Sequence, residues 1–243
     1  MSKTIYQGVF KRYEKKYLLN QNQYQNFYKK VLEHMEVDCY GKTTICSLYY
    51  DTPDFRLIRN SIDKPVYKEK IRIRCYGIPS KDSLAFVELK RKFKGEVYKR
   101  RVNVPYNKAY QWLTNREEPK GMGQIGSEIN WFLDFYKNLI PSCIILYDRI
   151  ALVGKDDKSL RITFDENIRY RDTNLDISNG DEGNILLDRN MHLIEIKIQG
   201  AMPLWLTKTL SENRIYPTSF SKYGNAYIKL FNNKIKKDVT KGA

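Results

Sequence analysis

The sequence predicts an α+β fold: an antiparallel β-barrel of about eight strands with peripheral α-helices. Three observations predict it. Segments of strict period-two alternation, rich in Val, Ile, Tyr and Arg, recur along most of the chain. Stretches with apolar residues at helical spacing lie between and after them. Finally, 243 residues with 42% hydrophobic content can build one large core. The domain expected is therefore single and spans residues 1–243, with a core over about 10–232 and a basic tail over 233–243 that carries Lys234, Lys236, Lys237 and Lys241.

Taken in order, Arg12, Glu14 and Lys16 are spaced by two and share one face of an opening strand. Asn20 to Val37 reads as an amphipathic helix, with Tyr24, Phe27, Tyr28, Val31, Leu32 and Met35 on one side. A strand follows over Thr44–Tyr50, and Asp51 and Asp54 cap the turn at Pro53. Strands are expected at Val66–Tyr76, Leu84–Arg91 and Glu96–Val104. Helices come next at Tyr106–Asn115 and Ser127–Asn138. The second is capped by Ser127 and carries Ile129, Phe132, Leu133 and Tyr136 on one face. Strands at Cys143–Val153, Leu160–Asp165 and Leu193–Ile198 and helices at Pro203–Asn213 and Ser221–Lys234 complete the chain. Trp112, Trp131 and Trp205 sit in helical patterns and read as core, and most tyrosines read as packing; His192 reads as a surface residue.

Composition narrows the class. Lys plus Arg number 43 and Asp plus Glu 28, so 43 − 28 gives a net charge of +15. Such an excess repels itself in a compact state and points to a polyanionic partner. Phosphate chains, nucleotides, nucleic acid and anionic membranes all qualify on charge alone. No apolar run approaches the roughly 20 residues of a membrane helix, and the N-terminus lacks a signal-peptide pattern. Cys39, Cys46, Cys75 and Cys143 form no C-x-x-C pair, and Cys75 and Cys143 read as buried free thiols. Two histidines are too few for a His-rich zinc site. A reducing, cytoplasmic location is the expectation.

The strands carry the unusual chemistry. In Val66–Tyr76, Lys68, Lys70, Arg72 and Arg74 share one face, opposite Ile71, Ile73 and Cys75. Glu88 and Lys90 align on the next strand, then Lys99 and Arg101, while Arg149 lies on the Cys143 strand. Arg161, Thr163 and Asp165 align, and so do Glu195 and Lys197. Two geometries fit. The cations are either solvated around a common apolar core, or they line a lumen whose apolar outside is covered by helices. A cationic lumen would repel itself unless filled by anion. Phosphate suits it, because Arg offers a bidentate fork and Lys a point charge. Glu88, Asp165 and Glu195 then look like ligands for a hard divalent cation bridging phosphate oxygens.

These residues fall in segments that resemble a known family. Arg12-x-Glu14-x-Lys16-Tyr17, Ser47–Phe55, Lys70–Gly77, Phe86–Lys90, Tyr98–Val102, Tyr147–Leu152, Leu160–Ile168, Leu193–Ile198 and Phe220–Tyr227 resemble, in order, the VTC domain. This is the polyphosphate polymerase domain of the vacuolar transporter chaperone complex and its bacterial relatives, within the triphosphate tunnel metalloenzymes (the CYTH-like superfamily).

The resemblance implies an antiparallel tunnel that binds the triphosphate of ATP with Mn²⁺ or Mg²⁺ and transfers its γ-phosphoryl group to a growing polyphosphate chain, releasing ADP. Carried over by position, Lys16, Arg72, Arg74, Lys90, Lys99, Arg149 and Arg161 would grip phosphates. Glu195 would hold the metal and Lys222 would contact the product chain. Taken with the shared strand faces, the expected catalytic set is Arg72, Arg74, Lys90, Arg149 and Arg161. Lys16, Lys70, Lys99, Arg101, Lys197 and Lys222 form the expected phosphate-binding set, with Glu195 and Glu88 as metal ligands. Many superfamily members open with E-x-E-x-K, whereas this chain has Arg12 first, which leaves fewer carboxylates for a two-metal triphosphatase. ATP and polyphosphate are the expected partners, and no specific nucleic acid is expected. The alternatives are a metal-dependent triphosphatase in the same tunnel and a non-catalytic binder of polyphosphate or nucleic acid.

Overall fold

The computed structural model describes residues 12–94 and 96–241, side chains excepted at Arg12 and at 233–241. The four tail lysines therefore lie outside the described side chains. The strands are β1 (Arg12–Asn20), β2 (Met35–Asp51), β3 (Tyr67–Tyr76), β4 (Leu84–Phe93), β5 (Glu96–Pro105), β6 (Ile140–Gly154), β7 (Arg161–Arg171), β8 (Asn184–Ile185), β9 (Met191–Gln199) and β10 (Pro217–Thr218). The helices are α1 (Gln21–His34), α2 (Arg56–Ile62), α3 (Tyr106–Asn115), α4 (Gly123–Tyr136), α5 (Leu204–Glu212) and α6 (Lys222–Lys241).

The class is α+β, with one 10-stranded antiparallel sheet in the order β10-β1-β9-β7-β6-β2-β3-β4-β5 and β8 beside β7. Among the described residues the sheet is open rather than closed into the expected barrel. Closure needs end strands that can share a full ladder. The terminal strand β10 has two residues, one of them Pro217, which has no N–H to offer.

The chain forms two compact units, and β2, β6 and β7 contribute residues to both. The first takes in Met1–Lys42, Arg149–Glu166 and Asn190–Ser219. Its core joins Tyr17, Leu19, Ile162, Phe164, Ile194 and Ile196 from the strands to Phe27 and Val31 of α1 and Leu206 of α5. Helix α1 starts where Asn20 accepts from Gln23 N (2.9 Å) and the Gln23 side chain accepts from Asn20 N (3.1 Å), a capping box. It ends short of the expected Val37 because Met35 is already extended and begins β2.

His192 is buried, not at the surface. Alternation places it on the apolar side of β9, opposite Leu19, where it stacks on Tyr24 at 3.9 Å and Nε2 meets Gln21 Oε1 at 2.9 Å. Trp205 packs against this core and stacks on His34.

The second unit holds Thr43–Asp148, Asn167–Arg189 and Phe220–Ala243. Leu48, Ile71, Ile73, Val87, Leu89 and Leu146 meet Trp112 and Leu113 of α3 and Phe132 and Leu133 of α4. Trp112 is fully buried and donates from Nε1 to Asn130 Oδ1 at 2.7 Å. Trp131 is not core: it is 58% exposed and stacks on Phe135. Ser127 is not the cap of α4, which starts at Gly123; its hydroxyl donates to Gly123 O inside the helix.

The turn at Pro53 hides a helix too short for periodicity to reveal. Asp51 serves as its cap, accepting from Leu57 N (2.8 Å) and Ile58 N (3.0 Å). Cys46, Cys75 and Cys143 are buried free thiols, with Cys46 and Cys75 pushed up to about 12 by burial.

Candidate functional site

The second unit gathers cations around one carboxylate. Antiparallel register sets Tyr49 of β2, Arg72 of β3, Glu88 of β4 and Arg101 of β5 in a single row. Directly opposed residues point to the same side of a sheet, so the four side chains meet. Glu88 is 1% exposed. Its Oε2 accepts from Arg72 Nε (2.8 Å) and Nη2 (2.7 Å). Its Oε1 faces Lys99 Nζ at 2.6 Å and Arg101 Nε at 3.1 Å, and Arg74 Nε lies 3.9 Å from Oε2.

Burial by itself would push the Glu88 carboxyl up, but Arg72, Arg74 and Lys99 outweigh it and hold the group well below the ordinary carboxylate range. Glu88 was expected as a metal ligand or as a partner orienting Lys90. Here its oxygens face Arg72, Arg74, Lys99 and Arg101, so it acts as the anchor of a cation cluster.

Aromatic rings complete the cluster, a feature the sequence reading assigned to packing. Arg72 Nη1 donates to the Tyr49 hydroxyl at 2.6 Å. Burial pushes the Tyr49 phenol up, yet Arg72 and Arg74 prevail and lower it, as they would for any group that gains from a negative charge beside guanidinium. Tyr49 stacks on Tyr223 at 4.6 Å, and Tyr223 donates to Asp51 at 2.9 Å. Arg74 donates from Nη2 to the Tyr147 hydroxyl (3.2 Å), and the expected product contact, Lys222, has Nζ 4.4 Å from the Tyr147 ring centre.

One row outward, Lys70, Lys90 and Lys99 are directly opposed across β3, β4 and β5. Like charges in that relation destabilise a sheet, so the row is built for an anion. Lys99 is held down to about 8, first by its removal from water and then by Arg101 and Arg72, against the pull of Glu88. It is therefore a cation below about pH 8 and neutral above. Triphosphate affinity should weaken as pH rises through that value, and Lys99→Met should remove the step. A pH series of triphosphate Kd for the two proteins measures it.

The first unit has its own cluster around Glu195. Register aligns Lys16, Glu195 and Thr163 across β1, β9 and β7, and Glu14, Lys197 and Arg161 in the next row. Glu195 meets Lys16 Nζ at 3.3 Å, Arg149 Nη2 at 3.4 Å and Lys197 Nζ at 3.6 Å. Asp165, fully buried, takes the Arg149 fork from Nε (2.6 Å) and Nη2 (2.7 Å), which fixes the guanidinium beside Glu195. Arg161 is exposed and has no ion-pair partner among the described residues.

Whether this cluster suits a divalent cation is decided by its donors. Among the described residues no group of three or more His, Cys, Asp or Glu could hold a metal. Glu195 is a lone carboxylate, but the buried Thr163 hydroxyl in its row has no hydrogen-bond partner. One carboxylate with a nearby hydroxyl fits Mg²⁺ or Mn²⁺, which keep waters and take substrate phosphate oxygens as ligands. It does not fit a protein-built cage. Glu88, ringed by cations, offers no such place.

A sequence model of the VTC domain matches residues 11–231. No curated protein matches the chain. Among solved structures, a candidate adenylate cyclase from Bacillus halodurans superposes with TM-score 0.51 at 14% identity, over 86% of this chain and 92% of that one. A candidate adenylate cyclase from Vibrio parahaemolyticus gives 0.49 at 13% identity, over 91% of this chain and 99% of that one. A candidate adenylyl cyclase from Hippeastrum, whose dominant activity is that of a triphosphatase, gives 0.49 at 14%, over 86% and 92%. The first of these likenesses concerns the fold alone.

Proposed function

The chain belongs to the VTC domain family, and from that premise we propose that it is an ATP-dependent polyphosphate polymerase of the triphosphate tunnel kind. It would transfer the γ-phosphoryl group of ATP to a polyphosphate end and release ADP. The observation that carries this reading is the Arg72–Glu88–Arg101 row with Arg74 and Lys99 around it: one buried carboxylate orients a surplus of cations.

Phosphoryl transfer passes through a loose transition state, so the protein's work is alignment and charge stabilisation. Arg72 and Arg74 are held before substrate arrives, by Glu88, Tyr49, Ser47 and Tyr147, and so lose little freedom on binding phosphate. Lys70, Lys90, Lys99 and Arg101 add charge along the same face. In the other cluster Lys16, Arg149, Arg161 and Lys197 bind phosphate oxygens, and Glu195 with the Thr163 hydroxyl holds Mn²⁺ or Mg²⁺. When bound, the metal neutralises charge on the phosphate oxygens it bridges. No protein nucleophile is needed, because the accepting phosphate is already ionised at neutral pH. The short supply of carboxylates favours this reading over a two-metal triphosphatase.

Glu195→Gln tests it. The variant should lose roughly 10- to 100-fold in ATP turnover, and its Mn²⁺ affinity, read by calorimetry with ATP present, should fall in parallel. Unchanged turnover and unchanged affinity would contradict the metal-assisted reading.

A further inference from the structure

The cation face does not stop at the rows used above. Two residues farther along the strands, Lys68 of β3 is directly opposed to Lys92 of β4, on the side that carries Lys70, Arg72, Lys90 and Glu88. Val97, the β5 partner of Lys92, completes that row without a charge. From the Arg72 row to the Lys68 row is four residues, about 13 Å of strand. The two outer rows contain five lysines and no carboxylate: Lys70, Lys90 and Lys99, then Lys68 and Lys92.

Opposed like charges cost a sheet stability unless something offsets them. Among the described residues Lys90 and Lys92 have no carboxylate and no hydrogen-bond partner. Lys68 Nζ donates to Ser61 O at the end of α2 (3.1 Å), which fixes its position without neutralising it. Its pKa is lowered by burial first and then by Lys92 and Lys64, the response of a cation pressed among cations.

We propose that Lys68 and Lys92, continuing the Lys70–Lys90–Lys99 row, form a ladder that holds the body of a linear inorganic polyphosphate beyond the residues that grip the reacting phosphates. The class of anion rests on the polymerase reading, while the existence of the ladder rests on the register. A single triphosphate is too short for a 13 Å run of rows, but a chain with charge on every unit matches it. Nucleic acid fits less well. Neither lysine row contributes an aromatic ring on which a base could stack, since Tyr67, Phe93 and Tyr98 alternate to the opposite face.

The test uses the full chain and the double variant Lys68→Ser/Lys92→Ser. Kd is measured for inorganic triphosphate, for long-chain inorganic polyphosphate and for a single-stranded RNA oligonucleotide of comparable charge, across a salt series. The preference for long chains over triphosphate should fall about tenfold in the variant, or about 1.4 kcal/mol. The salt slope for long chains should become shallower by roughly one unit. Lys68→Arg/Lys92→Arg should restore both, which a folding defect at these positions would not allow. An unchanged preference, or an equal loss of RNA binding, overturns the ladder. A wild-type protein that binds long chains through these lysines yet makes none from ATP contradicts the polymerase reading and leaves the ladder standing.

Discussion

Glu88→Gln should destabilise the protein by about 2–4 kcal/mol, and added triphosphate should restore much of the loss. The carboxylate is 1% exposed and faces Arg72, Arg74, Lys99 and Arg101. Removing the charged partner of a buried ion pair typically costs about 3–5 kcal/mol, because the remaining charges are left uncompensated. The lower figure applies here because the Lys99 and Arg101 side chains are 44% and 34% exposed and partly screened by water.

An anion entering the cluster takes over the neutralising role, so ligand stabilisation should be larger for the variant than for the native chain. The pH dependence carries a sign. The native Glu88 carboxyl lies below the value near 4.3 of an unfolded Glu, so its stabilisation is full above that pH and fades as pH falls through the folded value. Denaturant melts between about pH 3 and 6 should show a native slope that the Gln variant lacks. Equal stability at neutral pH would mean that the cations do not depend on Glu88.

Arg72→Ala should reduce turnover by roughly 10²- to 10³-fold, with the loss expressed mainly in kcat. Arg72 is the most heavily fixed cation of the cluster, donating Nε and Nη2 to Glu88 and Nη1 to Tyr49. Burial alone would weaken its protonation, but Tyr49 and Glu88 more than offset that, and the guanidinium stays charged at any working pH. Arg72→Lys should rescue little. An ammonium cannot serve Glu88 and Tyr49 together while presenting a remaining edge to phosphate. Tyr49→Phe, which removes one holding contact and keeps the ring, should fall between the native chain and Arg72→Ala. Steady-state kinetics with ATP separates these cases.

The parts of this architecture visible in sequence are those written in local periodicity. Period-two alternation placed Ile71 and Ile73 opposite Arg72 and Arg74, and Ile194 and Ile196 opposite Glu195, and the register bears this out. The span Tyr106–Asn115 matches α3 because its apolar spacing begins and ends there.

What was hidden depends on which strands pair. Nothing local tells that Tyr49 faces Arg72 across a strand pair, so its ring read as packing when its hydroxyl is a guanidinium acceptor. Asp165 looked like a metal ligand until Arg149 was found seated on it. His192 precedes a strand and has a polar side chain, but its parity puts it on the apolar face beneath Tyr24. Trp131 shares the helix of Phe132 and Leu133 and differs only by facing outward. The open sheet likewise follows from the two-residue length of β10, which no periodicity reports.

The central claim is that the cation clusters serve chain elongation. Its most direct test is to incubate the full chain with ATP and Mn²⁺ and to separate long polyphosphate, ADP and free phosphate by gel and chromatography. Polyphosphate that lengthens with time, with ADP formed in step and little free phosphate, is the predicted result. Free phosphate released without any polymer would contradict it and mark the protein as a triphosphatase or phosphohydrolase.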